Sequence, residues 1–201
     1  MYSWYMQAEE CYAFLGDVKF RGSEGLGPYK LMKSSEWFKR GWTLQELIAP
    51  AEVQFYDQEG AWLASRTTHA GFLEMITSIP FDVLRGEKDP GEYSIAQRMC
   101  WAALRKTTRP EDVAYSLLGI FKVNMPMLYG EHENAFRRLQ EEIVKQSEDQ
   151  SLFAWQDNRQ HHGRVLASSP YEFRSLQRLQ CIYVTNDTRF GHTLNNSGLA
   201  I

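Results

Sequence analysis

Cysteine is scarce and scattered in this chain. Cys11, Cys100 and Cys181 are the only three, an odd number at wide spacing. That excludes a disulfide framework and the paired ligand spacings of a structural zinc site, so all three read as reduced thiols in the core or at the surface. Long apolar runs are absent too, and no membrane span is expected. Neither sign of charge dominates: 22 basic against 25 acidic residues leave a net charge of -3. A nucleic acid would favour a strongly basic face, and none is legible. Met1 runs into Tyr2, Ser3 and Trp4 without the basic stretch and apolar segment of a secretory leader. The expectation is a soluble, cytoplasmic protein.

What the chain does have is apolar and aromatic surface. Hydrophobic residues reach 43% and aromatic residues 13%, enough to bury a sizeable core and to exclude disorder. The 201 residues suit one domain, or one domain with an appendage.

Residues 2–8 read as the end of an amphipathic helix. Residues 11–15 (CYAFL) then read as a short, fully buried strand. Residues 19–33 carry glycines and Pro28, which indicates a loop. Ser34 or Ser35 caps a helix running to Ile48 before Pro50, and 53–57 (VQFYD) alternates as a second strand closed by a Gln-Glu-Gly turn. Helix and strand in alternation point to an α/β fold with a parallel sheet.

After this turn the pattern becomes helical. Helices are expected over 67–78, with Phe72, Met75, Ile76 and Ile79 on one side, and from Ser94 to about Thr107. Another runs from Arg109 to Gly119, and the longest over about 131–147, its core face formed by Phe136, Leu139, Ile143 and Val144. Residues 151–155 (SLFAW) and 181–185 (CIYVT) read as strands, with a polar loop over 156–164. The fold class is therefore α/β: a parallel sheet flanked by helices, a mainly helical region, and a short β-containing tail. The expected division is 1–150 and 151–201.

The helix after Ser35 carries the most suggestive chemistry. Projected at 100° per residue, Trp37, Gly41, Leu44 and Ile48 form a core stripe, with Leu47 at its edge and Phe38 between the two sides. Trp42 and Glu46 fall on the other side, one turn apart, where an indole can shield a carboxylate from water. The plain alternative is a solvated glutamate beside a tryptophan that packs under a neighbouring segment. Other candidates are weaker. His132 and the pair His161-His162 lack further ligands at metal spacing, so no metal site is expected. Arg105, Lys106 and Arg109 form a basic cluster that either pairs with Glu111 and Asp112 or binds a phosphate. Gly25 to Gly27 is too short for a phosphate loop.

Three stretches, 35–50 (SEWFKRGWTLQELIAP), 95–121 (IAQRMCWAALRKTTRPEDVAYSLLGIF) and 124–143 (NMPMLYGEHENAFRRLQEEI), followed by SLFAW, resemble the fungal heterokaryon-incompatibility (HET) domain in order and over most of residues 1–155. The resemblance implies a death-effector role in fungal non-self recognition. It also implies that the first strands of the domain precede Met1, so that this chain is its C-terminal portion. A second resemblance links residues 35–47 to Toll/interleukin-receptor (TIR) domains that cleave NAD+. It implies a partial TIR-like sheet, Glu46 as the catalytic carboxylate, Trp42 and Arg40 as substrate-binding residues, and Thr43 where those domains have Cys. NAD+ would then be a substrate, with no cofactor, and NAD+ glycohydrolase activity would need the missing N-terminal half. The competing expectations are a non-catalytic, self-associating signalling module and an inactive gene fragment.

Overall fold

A pair of parallel strands organises the first part of the chain. The computed structural model describes residues 2–20, 28–156 and 163–176, with the backbone of 193–195 and 198–200. It divides into two compact units, Met1–Pro90 and Gly91–Ile201.

In the first unit, helix α1 (Tyr2–Met6) leads to strand β1 (Cys11–Leu15), and β2 (Val53–Asp57) lies parallel to it with Cys11 opposite Val53 and Leu15 opposite Asp57. Both expected strands and their parallel sense are present. Between them lie α2 (Pro28–Ser34), a 3-10 turn (Glu36–Lys39) and α3 (Thr43–Ile48). Strand β3 (Trp62–Ser65) then pairs antiparallel with β2, so the sheet is mixed. The helical pattern expected after residue 60 begins only with α4 (Ala70–Thr77), followed by α5 (Phe81–Leu84). The cause is the turn chemistry of Asp57. Its buried carboxylate accepts the N–H groups of Glu59 at 2.9 Å, Ala61 at 2.8 Å and Phe20 at 3.0 Å, and Gly60 takes φ 82°, so the chain folds straight back.

Four further expectations are corrected in this unit. Strand β1 is buried on one face only: Ala13 and Leu15 are inside, while Tyr12 and Phe14 are 57% and 62% exposed. A period of two satisfies one covered face, however apolar the other residues are. Residues 28–33, expected in a loop, and Ser34, expected as a helix cap, form α2, with Pro28 in the first turn where its missing N–H is harmless; residues 21–27 lie outside the described part. The single helix expected to run to Ile48 is two pieces. Arg40 is extended (φ -80°, ψ 140°), and the Thr43 hydroxyl donates to the carbonyls of Trp37 (2.6 Å) and Arg40 (2.8 Å), which serves the peptide groups that a continuous helix would have bonded. On α4 the buried residues are Ala70, Leu73 and Thr77, whereas Met75 is 73% exposed; Ser78 ends the helix in a left-handed conformation.

The second unit is mainly helical: α6 (Ile95–Ala102), α7 (Asp112–Tyr115), α8 (Leu118–Phe121) and α9 (Asn134–Gln146). Ser94 and Gln97 form a reciprocal capping box at the start of α6. The helix ends at Ala102, short of Thr107, and the helix expected over 109–119 is broken between α7 and α8. Helix α9 buries Phe136, Leu139, Ile143 and Val144, the face expected from its spacing. Residues 151–155 do not form a strand. Gln150–Phe153 is a 3-10 turn because Asp149 accepts Ser151 N–H at 2.8 Å through one oxygen and Ile95 N–H at 2.7 Å through the other. The tail contains an antiparallel pair, β4 (Thr193–Asn195) and β5 (Gly198–Ala200). The strand expected over 181–185, and His161-His162, lie outside the described residues.

Candidate functional site

The segment from Ser35 to Ile48 is fixed at both ends by side chains remote in sequence. At the start of its 3-10 turn, the Asp17 carboxylate accepts the Ser35 hydroxyl and the Glu36 N–H, both at 2.7 Å, at the carboxyl end of β1. Burial works against that charge, yet the Glu36 and Ser35 donors hold the Asp17 carboxyl below its usual range. At the other end Arg66 is buried, 3% exposed. Its guanidinium donates to Leu47 O at 3.2 Å, Ile48 O at 3.1 Å and Ala51 O at 2.6 Å, and so covers carbonyls at the helix terminus. Burial lowers the Arg66 pKa, opposed by the nearby Glu52 carboxylate.

A helix that joins two parallel strands runs back against them, and this decides where Glu46 lies. It sits toward the amino ends of β1 and β2, half-buried on α3. There it accepts the Tyr5 hydroxyl at 3.3 Å, and its carboxylate also acts on the half-buried thiol of Cys11. Burial and the neighbouring carboxylate push the Tyr5 hydroxyl up to about 12, and the same two causes raise the Cys11 thiol. Tyr5, Cys11 and Glu46 are thus brought together. The first two were not legible as partners of Glu46, although the strand–helix–strand order carries the signal: the last turn of the helix must fall near the start of β1. In open α/β sheets ligands gather at the carboxyl ends of the strands, and in this unit that end carries Asp17, Ser35 and Asp57.

The other expected residues are placed as follows. Trp42 is the half-buried N-cap of α3, one turn before Glu46. Arg40 is exposed, on the extended residue between the two helical pieces. Trp37 joins the core, its ring edge-on to Phe38 at 5.1 Å and to Phe55 at 5.3 Å, and Gly41, Leu44, Leu47 and Ile48 are buried. The core stripe of the projection is therefore present, with Phe38 added to it by the break.

In the second unit, Glu111, Tyr115, Glu131 and Arg138 tie the 123–133 segment to α7 and α9. Buried Glu111 accepts the N–H groups of Gly130 (2.8 Å) and His132 (3.1 Å), where both residues have positive φ. The Tyr115 hydroxyl accepts Leu128 N–H at 2.7 Å and lies 2.7 Å from Glu131, which pairs with Arg138. Burial and the hydrogen bond to Glu131 push that hydroxyl up to about 12. His132 points to solvent with its ring 4.0 Å from Glu111. Arg109 stacks over Tyr129 at 4.7 Å, and Arg105 donates to Trp101 O, so these two members of the basic cluster have partners in the fold. Among the described residues no cluster of His, Cys, Asp and Glu could hold a metal, and no helix is long and apolar enough to cross a membrane.

A family model described as a domain of unknown function (DUF8212) matches residues 134–196. The chain is similar to the vegetative incompatibility protein HET-E-1 of Podospora anserina, with 44% identity over 149 residues. The match takes in 72% of this chain and 11% of that protein, so the chain spans a small part of its relative. No solved structure matches the chain.

Proposed function

We propose that this chain is a signalling element of a fungal heterokaryon-incompatibility protein and acts in the cytoplasm in the response to fusion with a non-self partner. The observation that carries this reading is the 44% identity, over most of the chain, to a protein named for vegetative incompatibility. Induced expression of the chain in fungal hyphae is expected to arrest growth and kill compartments. Normal growth at an expression level verified by immunoblot would overturn the reading.

Two modes of action have support. The first is self-association without catalysis, favoured by aromatic side chains that stand exposed on an ordered sheet. The second is cleavage of NAD+, favoured by a half-buried carboxylate, Glu46, one helical turn from a half-buried indole, Trp42. In that reaction the bond between nicotinamide and the ribose breaks with its electron pair going to the nicotinamide nitrogen, water adds to the ribose carbon and loses a proton to solvent, and Glu46 stabilises the cationic sugar as the bond opens. Trp42 and Arg40 would hold the dinucleotide. If this mode operates, Glu46→Ala made in the full-length protein lowers nicotinamide release from NAD+ by on the order of 100-fold. Equal release by the full-length protein and its variant sinks it.

A further inference from the structure

We propose that Tyr5 is the positioning residue for Glu46, holding one oxygen of its carboxylate and leaving the other for the sugar as the bond to nicotinamide opens. The inference rests on the NAD+-cleavage reading above and adds the group that aims the reacting carboxylate.

Backbone links carry α1 to this place. Ala51 N–H donates to Ala8 O at 3.3 Å, and Cys11 N–H donates to Glu52 O at 2.9 Å where β1 begins to pair with β2. The segment after α1 is thereby tied to the connection that follows α3. Helix α1 turns Trp4 and Met6 outward, 78% and 60% exposed, and leaves Tyr5 half-buried. The Tyr5 hydroxyl then donates to Glu46 Oε1 at 3.3 Å, across 41 positions of the chain. Among the described residues that hydroxyl has no other partner, and the Glu46 carboxylate accepts no other hydrogen bond.

The chemistry of the pair suits this role. Burial and the neighbouring carboxylate push the Tyr5 hydroxyl up to about 12, so it keeps its proton near neutral pH. The Cys11 thiol, raised by the same two causes, keeps its own. Glu46 therefore carries the negative charge of the trio, and its partner is a neutral donor that does not compete with the cationic sugar. A glutamate side chain is flexible, and a carboxylate stabilises a developing cation only when its orientation is fixed beforehand. A bond to Oε1 fixes the orientation and spares Oε2. The 3.3 Å length exceeds the usual O–H···O range, and such contacts are often long in a free enzyme and tighten once substrate is bound. Tyr5 acts through Glu46, without touching a reacting atom.

Steady-state nicotinamide release from NAD+ by the full-length protein tests this, with Tyr5→Phe, Glu46→Ala and the double variant beside the parent. Tyr5→Phe keeps the ring and removes only the hydroxyl. It should lower kcat about tenfold and leave KM unchanged, because the lost orientation matters in the transition state rather than in binding. In the Glu46→Ala background the same change should make no further difference. A hydroxyl that serves only to tie α1 to α3 would reduce the folded fraction, and with it the rate, by the same factor in both backgrounds. Equal kcat for the parent and Tyr5→Phe, or an equal fall in both backgrounds, overturns the positioning role and leaves NAD+ cleavage standing. A full-length protein that releases no nicotinamide, or whose release Glu46→Ala does not diminish, overturns both.

Discussion

Arg66→Met is expected to lower the unfolding free energy by about 3 kcal/mol, from the balance of two opposing effects. Removing the guanidinium leaves the carbonyls of Leu47, Ile48 and Ala51 without their charged donor in a buried place. Each orphaned group costs about 1–3 kcal/mol. Against this, methionine fills similar volume and removes a buried cation whose desolvation is itself unfavourable by several kcal/mol; the Arg66 Nε has no partner, so part of that penalty is uncompensated. The carbonyls outweigh it because three of them lose their donor together. Arg66→Lys should fall between, since one ammonium cannot span Leu47 O and Ala51 O as a planar fork does. Denaturant titration gives the free energies, and amide exchange at Ala49, whose N–H bonds Gln45 O, should quicken. A methionine variant as stable as the parent chain would refute the capping role.

Glu111→Ala should cost about 2–3 kcal/mol, because two backbone N–H groups lose their acceptor. One carboxylate oxygen serves both Gly130 and His132. Glu111→Gln retains an oxygen there and loses the charge, so about half the cost is expected. The pH dependence adds a second readout. The carboxyl is held below its ordinary 4.5 by its own amide, the Gly130 N–H and the His132 N–H, with burial opposing. A carboxyl with a lowered folded pKa stabilises the fold above the unfolded value and loses that contribution as pH falls through the folded one. The parent chain should therefore weaken on acidification below 4.5 more steeply than Glu111→Ala. Parallel acid profiles for the two would dismiss Glu111 as the anchor of this segment. The result bears on the sequence reading too: the stretch from Pro126 to Arg138, prominent in the resemblance, serves here as an internal clasp, with Glu131 paired to Arg138 and Arg138 donating to Pro126 O at 3.0 Å.

Much of the local structure was legible because it rests on short-range chemistry. The alternation in Val53–Asp57, the Ser94 cap and the apolar face of α9 each depend on residues within one or two turns, and each appears as expected. The misses share a different cause. Trp62–Ser65 is a strand because Asp57 turns the chain, and Gln150–Phe153 is a 3-10 turn because Asp149 bonds to Ile95, 54 positions away. Helix α3 is short because Thr43 competes for carbonyls. None of these outcomes can be read from apolar periodicity alone.

The candidate site divides along the same line. By itself the sequence determined that Trp42 and Glu46 stand one turn apart, since helical spacing depends only on the chain between them, and that strand, helix and parallel strand follow one another. The tertiary structure decided that Glu46 meets Tyr5 and lies near Cys11 at the amino ends of the strands, that Arg40 stands exposed on an extended residue, and that Tyr12 and Phe14 face solvent. Those facts depend on which surface each element presents to a neighbour distant in sequence, and long-range packing and side-chain capping settle that only when the chain folds.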